Sequence, residues 1–193
     1  MTNIDLYSIN KDSIKNMNIT IIGYGNQAKS QALNLKDYGC NVTIGLRNNS
    51  ESIKDAKKKF KVKNISESIK DADIIIMLIP DICQPKLYNE VIKDNIKKSC
   101  YIGFAHGFSI CYNLIKYDSN KMFLVAPKAP GKSVRNKFLN NEWLAIAIQN
   151  PINSTLAYEY AYAITNGKGK DIFETTFKEE TETDLFGEQA ILC

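Results

Sequence analysis

The sequence predicts an α/β protein, a doubly wound and mostly parallel sheet followed by a short acidic helix at the C-terminal end. Short β-branched runs alternate with helical patterns from residue 18 onward. Two of those runs, NITII at 18–22 and IIIMLI at 74–79, show little apolar–polar alternation. Strands of that kind have both faces covered, as when crossover helices pack on either side of a parallel sheet. The first strand-to-helix turn is glycine-rich, the third mark of this architecture.

The elements follow in order. Strand 18–22 runs through the glycine turn into a helix over 27–38, where QAKSQALNL continues without a breaker. Strand 42–46 precedes a helix over 50–60 that Ser50 can cap. Strand 73–79 precedes a helix over 82–91, and strand 99–104 a helix over 109–115. Runs 122–126 and 143–149 read as further strands. Residues 154–166 read as a helix begun by a Ser N-cap and stopped near Gly167, and 169–175 as a last short strand. From about Thr176 the pattern becomes an acidic helix, which places a domain boundary there: 1–175 for the nucleotide-binding unit, 176–193 for the acidic helical segment.

A chain of 193 residues with 44% hydrophobic content buries one full core plus a short appendage. The net charge of +4 is mild. The basic run Lys57–Lys63 has no aromatic platform or groove-reading motif beside it, so it reads as a solvated helix face, and nucleic acid is excluded as a partner. Lysine outnumbers arginine 23 to 2, which singles out Arg47 and Arg135. The five cysteines form no CxxC pair, the N-terminal stretch is polar, and no apolar run reaches membrane-spanning length. A reduced, cytoplasmic protein without a membrane partner is the expectation.

Chemistry concentrates at the predicted strand ends. Gly23-Tyr24-Gly25-Asn26-Gln27-Ala28 fits the dinucleotide turn. The first glycine permits the turn, the second lets a pyrophosphate approach the backbone, and the third position needs only a small residue. The alternative is a glycine turn in an unrelated α/β fold. At the end of the second strand an NAD-binding protein would place a carboxylate; Arg47, Ser50 and Ser52 stand there instead, a guanidinium and two hydroxyls suited to a ribose 2′-phosphate. The alternative is that Ser50 caps a helix and Arg47 pairs with Glu51.

Asp81, Ile82, Cys83 and Gln84 follow the third strand, at the edge where open α/β sheets bind ligands, although Pro80-Asp81 also reads as a plain helix start. His106, the single histidine, sits after the strand CYIGFA and beside Gly107, a position that suits chemistry and structure equally. In VAPKAPG, two prolines stiffen a loop around Lys128 and Gly131 permits close backbone approach; the alternative is one more exposed lysine. Asp184 and Glu188 lie four apart on the acidic helix and share a face, the spacing at which two carboxylates bind a hard cation such as Mg²⁺. Glu179, Glu180 and Glu182 read as acids favoured by a helix N-terminus.

GYGNQA, FAHGF, VAPK and ETTFKEETETDLFGEQAILC together resemble the ketol-acid reductoisomerase family, over about residues 18–193. The resemblance implies NADPH bound across Gly23–Gln27, Arg47, Ser50, Ser52, Asp81, Ile82, Cys83, Gln84 and Gly131. It implies catalytic roles for His106 and Lys128, and Mg²⁺ held by Asp184 and Glu188. The implied reaction is Mg²⁺-assisted alkyl migration in a 2-hydroxy-3-oxo acid such as 2-acetolactate, then reduction by NADPH to a 2,3-dihydroxy acid, in valine and isoleucine biosynthesis. In that family an all-helical domain comes next, completing the metal and substrate site and most of an oligomer interface. Residues 176–193 would then be its truncated start, with a separate chain as one source of the rest. Departures from the family pattern are Lys29-Ser30-Gln31, where His-Ala-His is frequent, and Lys132, where His is frequent. The rival expectation is a non-catalytic NADPH-binding remnant or regulatory module. A dehydrogenase of another substrate would need a substrate domain that the sequence does not show.

Overall fold

The computed structural model describes residues 12–116, 118–167 and 172–192, the side chains of residues 119 and 188–192 excepted. Eight strands form one sheet: β1 (Asn18–Ile22), β2 (Asn41–Leu46), β3 (Lys61–Asn64), β4 (Ile74–Met77), β5 (Tyr101–Phe104), β6 (Met122–Pro127), β7 (Ile146–Gln149) and β8 (Ile172–Glu174). Their order is β3-β2-β1-β4-β5-β6-β7-β8. The pairs from β3 to β6 are parallel, β7 runs antiparallel to β6, and β8 is parallel to β7. The chain leaves β1 in one direction and returns to its other side at β4, so the β1/β4 boundary is the topological switch point where ligands of such sheets bind.

The strands are apolar throughout because consecutive side chains enter two different cores. In β4, Ile74 and Ile76 join one buried cluster and Ile75 and Met77 the other; in β6, Phe123 and Val125 are divided from Met122, Leu124 and Ala126 in the same way. The first core is covered by α1 (Asn26–Tyr38), α6 (Gly131–Leu139) and α7 (Leu156–Ile164), through Ala28, Ala32, Leu35, Val134 and Tyr160. The second is covered by α3 (Ile65–Ser68), by α4 (Gln84–Leu87) with its π-helical continuation Tyr88–Ile92, and by Phe177 of α8 (Phe177–Leu192). Each fully buried Ile or Leu contributes about 1.5–3 kcal/mol, so both faces must be covered for the sheet to hold.

Three expectations need correction. The helix over 50–60 is reduced to α2 (Ile53–Ala56) with flanking turns, and the lysine-rich run continues into β3 rather than along a helix face. Edge strands tolerate and even favour lysine, because it blocks pairing with a further strand. Helix α6 is an unexpected element; Val134 and Phe138, both buried and four apart, mark its inner face. The helix over 109–115 is only α5 (Phe108–Cys111), and Asn113 follows at φ 54°. Other boundaries move by a few residues. Ser154 does take part in starting α7, accepting from the Leu156 N–H, and Gly167 at φ +78° follows its end.

Arg135 proves to be a packing residue. From α6 it donates to Asn34 Oδ1 (2.9 Å) and pairs with Asp37 (2.5 Å), both on α1. The fully buried Asn34 amide donates in turn to the carbonyls of Val134 and Ile164, tying three helices together.

Candidate functional site

The glycine turn is built by backbone contact. Gly23 has φ +102°, and a Cβ there would lie 2.4 Å from the Leu78 carbonyl oxygen, so any side chain is excluded both by conformation and by space. Tyr24 is buried and packs edge-on to Phe60; it offers a ligand its backbone rather than its ring. Gly25 precedes α1 with open space around its Cα, and Asn26 is exposed. Gly131 approaches this turn rather than standing apart: a Cβ would lie 2.4 Å from the Asn26 carbonyl carbon. The first turns of α1 and α6 therefore touch. Gln27 locks the contact by donating to the Ala129 carbonyl (2.8 Å). Behind it, Tyr160 donates to Gln31 and Gln31 to Gln27, a chain that reaches from the core to the site.

The loop after β2 is different. Arg47 is exposed, Ser50 and Ser52 are partly exposed, and among the described residues Arg47 makes no ion pair with Glu51. Ser50 does not cap α2; Ser52 occupies the N-cap position without a side-chain capping bond. Lys29, one of the departures from the family pattern, pairs with Asp55 of α2 at 2.6 Å and so ties α1 to the far side of this loop.

At the ends of β4, β5 and β6 the polar side chains converge. Ile82 projects into solvent and Cys83 is exposed, whereas Gln84 is buried. Asp81 accepts from Gln84 Nε2 through Oδ1 (2.9 Å) and faces His106 Nδ1 through Oδ2 (2.8 Å). The hydrogen bond to Asp81 holds the His106 imidazole above its ordinary pKa against the opposing effect of burial, with the charges of Asp81, Glu180 and Asp184 adding to the rise. His106 Nε2 lies 3.4 Å from Asp184 Oδ2 and has no hydrogen-bond partner among the described residues.

Glu180, read from sequence as an ordinary helix-start acid, is the organising carboxylate. Its side chain is only 2% exposed; Oε1 meets Lys128 Nζ at 2.8 Å and Oε2 accepts from the Gly107 N–H at 2.9 Å. A buried carboxylate demands such partners. Helix α8 reaches this position because Gly107 lets it close in, a Cβ there falling 2.3 Å from the Phe177 carbonyl oxygen. Thr176 and Glu179 form a reciprocal capping box at its start. One turn beyond Glu180, Asp184 is partly exposed, and Glu188 follows on the helix with its side chain outside the described residues.

A cavity of about 630 Å³ lies between the glycine turn, the loop after β6 and α8, lined by Gln27, Ala126, Lys128, Pro130, Glu180 and Asp184 among others. A larger one, about 790 Å³, lies at residues 148–155 and 174–175. It has one ionisable lining residue, Glu174, and lies away from the glycine turn, so the smaller cavity is the better candidate.

Among the described residues, ligating atoms of His106, Glu180 and Asp184 lie within 4.8 Å of one another. Both Glu180 oxygens are already engaged, and the Lys128 ammonium stands as the cation beside it. Asp184 is thus the carboxylate of this group with capacity to spare for a hard ion. No described helix is long and apolar enough to cross a membrane.

Known proteins share this fold and much of this sequence. The acetohydroxy acid isomeroreductase NADPH-binding domain matches residues 13–171. Ketol-acid reductoisomerase (NADP(+)) of Psychrobacter cryohalolentis is 46% identical over 187 residues, covering 93% of this chain and 55% of that protein. The Pyrobaculum aerophilum protein of the same name is 43% identical over 188 residues, covering 94% and 57%. The chain thus spans about half the length of the curated relatives it matches. An NADH-preferring ketol-acid reductoisomerase from an uncultured archaeon superposes with a TM-score of 0.85 at 36% identity, over 97% of this chain and 60% of that one. A semialdehyde dehydrogenase NAD-binding protein from Cupriavidus necator, at 14% identity and TM-score 0.72, shares the fold. With the family's domain matched over most of the chain, and the glycine turn placed at the switch point of its sheet, the chain belongs to the acetohydroxy acid isomeroreductase family through its NADPH-binding domain.

Proposed function

We propose that the chain is the cofactor-binding part of a ketol-acid reductoisomerase, acting on 2-acetolactate-type acids with Mg²⁺ and NADPH in valine and isoleucine biosynthesis. The observation that carries this reading is the convergence of the glycine turn, the His106–Asp81 pair, the Lys128–Glu180 pair and Asp184 around one edge of the sheet. NADPH would lie over Gly23–Gln27, with the exposed Arg47, Ser50 and Ser52 available for its 2′-phosphate and residues 81–84 flanking it.

The donors suit Mg²⁺, since Asp184 is partly exposed with a free carboxylate and Glu188 follows four residues later. When bound, the two cofactors would supply Lewis acidity at the hydroxyl and ketone oxygens, and a hydride. The chain's own side chains do the rest. Lys128, held by Glu180, presents an ammonium to a carboxylate or a developing alkoxide. His106, whose Nε2 faces Asp184 at the cavity wall, can take up a hydroxyl proton. A further helical domain, on the same polypeptide or on a partner, would complete the ligand set. A cytoplasmic setting accompanies this reading, supported by four free cysteines among the described residues.

A second reading, an NADPH-binding module without turnover, is favoured by the scarcity of ligands. Asp184 is the one described carboxylate free for the metal, and Mg²⁺ requires near-octahedral coordination. NADPH oxidation with 2-acetolactate and Mg²⁺, measured on this chain and on the chain complemented with a helical domain of the family, separates the two. Turnover that appears on complementation and is lost in Asp184→Asn supports the enzyme; none under either condition supports the module. The nucleotide assignment is tested by titrating NADPH and NADH against wild type and Arg47→Ala. Losing a charged hydrogen bond costs ~1.5–3 kcal/mol, roughly ten- to a hundredfold in NADPH affinity. Equal affinity of the wild type for both nucleotides would sink the Arg47 assignment.

A further inference from the structure

We propose that Asp81 is a positioning residue for His106: held in orientation by Gln84 and Ser109, it keeps the neutral imidazole in the Nδ1–H tautomer with the Nε2 lone pair turned toward Asp184. The chain of hydrogen bonds begins two residues before Asp81. The Ile79 carbonyl is only an acceptor, and Gln84 donates to it through Nε2 at 3.0 Å. That bond determines which way the Gln84 amide points. Its Oε1 then faces the buried Ser109 hydroxyl, which donates at 2.9 Å, and the same Nε2 donates to Asp81 Oδ1 at 2.9 Å. Gln84 is 3% exposed and Ser109 not at all, so neither has water as a substitute partner.

Asp81 is thus fixed through one oxygen, and the other lies 2.8 Å from His106 Nδ1. A carboxylate only accepts, so Nδ1 must carry the proton. In a neutral ring Nε2 is then an acceptor. It faces Asp184 Oδ2 at 3.4 Å, another acceptor. Two acceptors this close call for a hydrogen-bearing or cationic group in the space beside Asp184, the member of the pair that lines the cavity. In the opposite tautomer His106 would donate to Asp184 and close that space. Asp81 and Gln84 therefore do more than flank a cofactor, because their side chains are committed to the imidazole. The catalytic consequence rests on the function proposed above, whereas the ring orientation does not.

His106 is the only histidine, so its ring nitrogens can be read without assignment ambiguity. The experiment is a two-bond ¹H–¹⁵N correlation spectrum of the ¹⁵N-labelled, cofactor-free chain at a pH where the ring is neutral. Wild type should show predominantly Nδ1–H, the tautomer that free histidine disfavours. In Asp81→Asn, the unchanged Gln84 still offers a donor, so Asn must turn its Oδ1 to Gln84 and its NH₂ to the ring. The spectrum should switch to Nε2–H while backbone amides away from the site keep their wild-type shifts. Replacing Gln84 by Met as well frees the Asn to turn round, and the double variant should hold more Nδ1–H than the single one. A wild type already in the Nε2–H form overturns the proposal. So does a folded Asp81→Asn variant that keeps Nδ1–H, or a double variant with no more of it than the single.

Discussion

The loop after β2 and the cluster around His106 both carry the polar side chains of a candidate site, but they are organised in opposite ways. Arg47, Ser50 and Ser52 are wholly or partly exposed, and Arg47 has no ion-pair partner among the described residues. Asp81, Gln84, Ser109 and His106 form one chain of hydrogen bonds and Lys128 bonds to Glu180 beside it, and three of the six are almost wholly buried. A site of the first kind gains its partners when a ligand arrives, at a cost in side-chain entropy. A site of the second kind is in place beforehand, because folding has already ordered it. Changes in the loop should therefore alter binding and leave stability alone, while changes in the cluster should alter both.

The largest effect is expected at Gly107. A Cβ in Gly107→Ala would overlap the Phe177 carbonyl and the Thr181 hydroxyl. Overpacking of this kind costs about 1–3 kcal/mol or more, and the simplest relief is for α8 to move away. Limited proteolysis should then cut within 176–187 faster than in wild type, with a lower Tm. An unchanged cleavage pattern would mean that α8 is not held at Gly107.

Glu180→Gln comes next. It leaves the Lys128 ammonium beside a neutral amide; breaking a buried pair costs about 3–5 kcal/mol, but Lys128 is a third exposed, so about 2 kcal/mol is the expected loss in urea unfolding. A loss as small as that of a surface pair would show that the cluster is no more preorganised than the loop.

On the loop side, Ser52→Ala should weaken NADPH binding by about tenfold, the lower end for a hydrogen bond to a charged phosphate, with Tm unchanged. A matching fall in Tm would erase the contrast between the two regions.

Asp73 lies at the opposite end of β4 and serves as a reference for both. Burial alone would raise its carboxyl, but the Asn18 N–H and the Lys97 ammonium (3.0 Å) outweigh that and hold it below the usual range. A depressed folded pKa gives stability that is present above the unfolded value of about 3.9 and lost as pH falls through the folded value. The side chain is about a third exposed, so the contribution is at most about 1 kcal/mol. Asp73→Asn should remove that part of the acid sensitivity without touching nucleotide affinity.

Residue patterns alone identified the alternating architecture, the glycine turn, the strand ends that carry His106 and Lys128, and the start of the acidic helix. Each is a local signal: β-branched runs without alternation, a Gly-x-Gly before a helix, a run of carboxylates at a helix start. Signals dependent on distant partners were not legible. Strand β3 hides in a lysine-rich run because an edge strand needs only Val62 and its pairing with β2 to define it. Glu180 has nothing local to separate it from Glu179 and Glu182; burial against Gly107 and Lys128, which lie 73 and 52 residues away, makes it different. Likewise Asp81 reads as the start of a helix or part of a cofactor segment until the sheet brings His106 beside it. The sequence by itself determined which elements form and where their ends carry chemistry, because propensity and periodicity act over a few residues. Tertiary structure decided which polar groups face one another, because a buried charge or amide must be satisfied by whatever the fold places within reach.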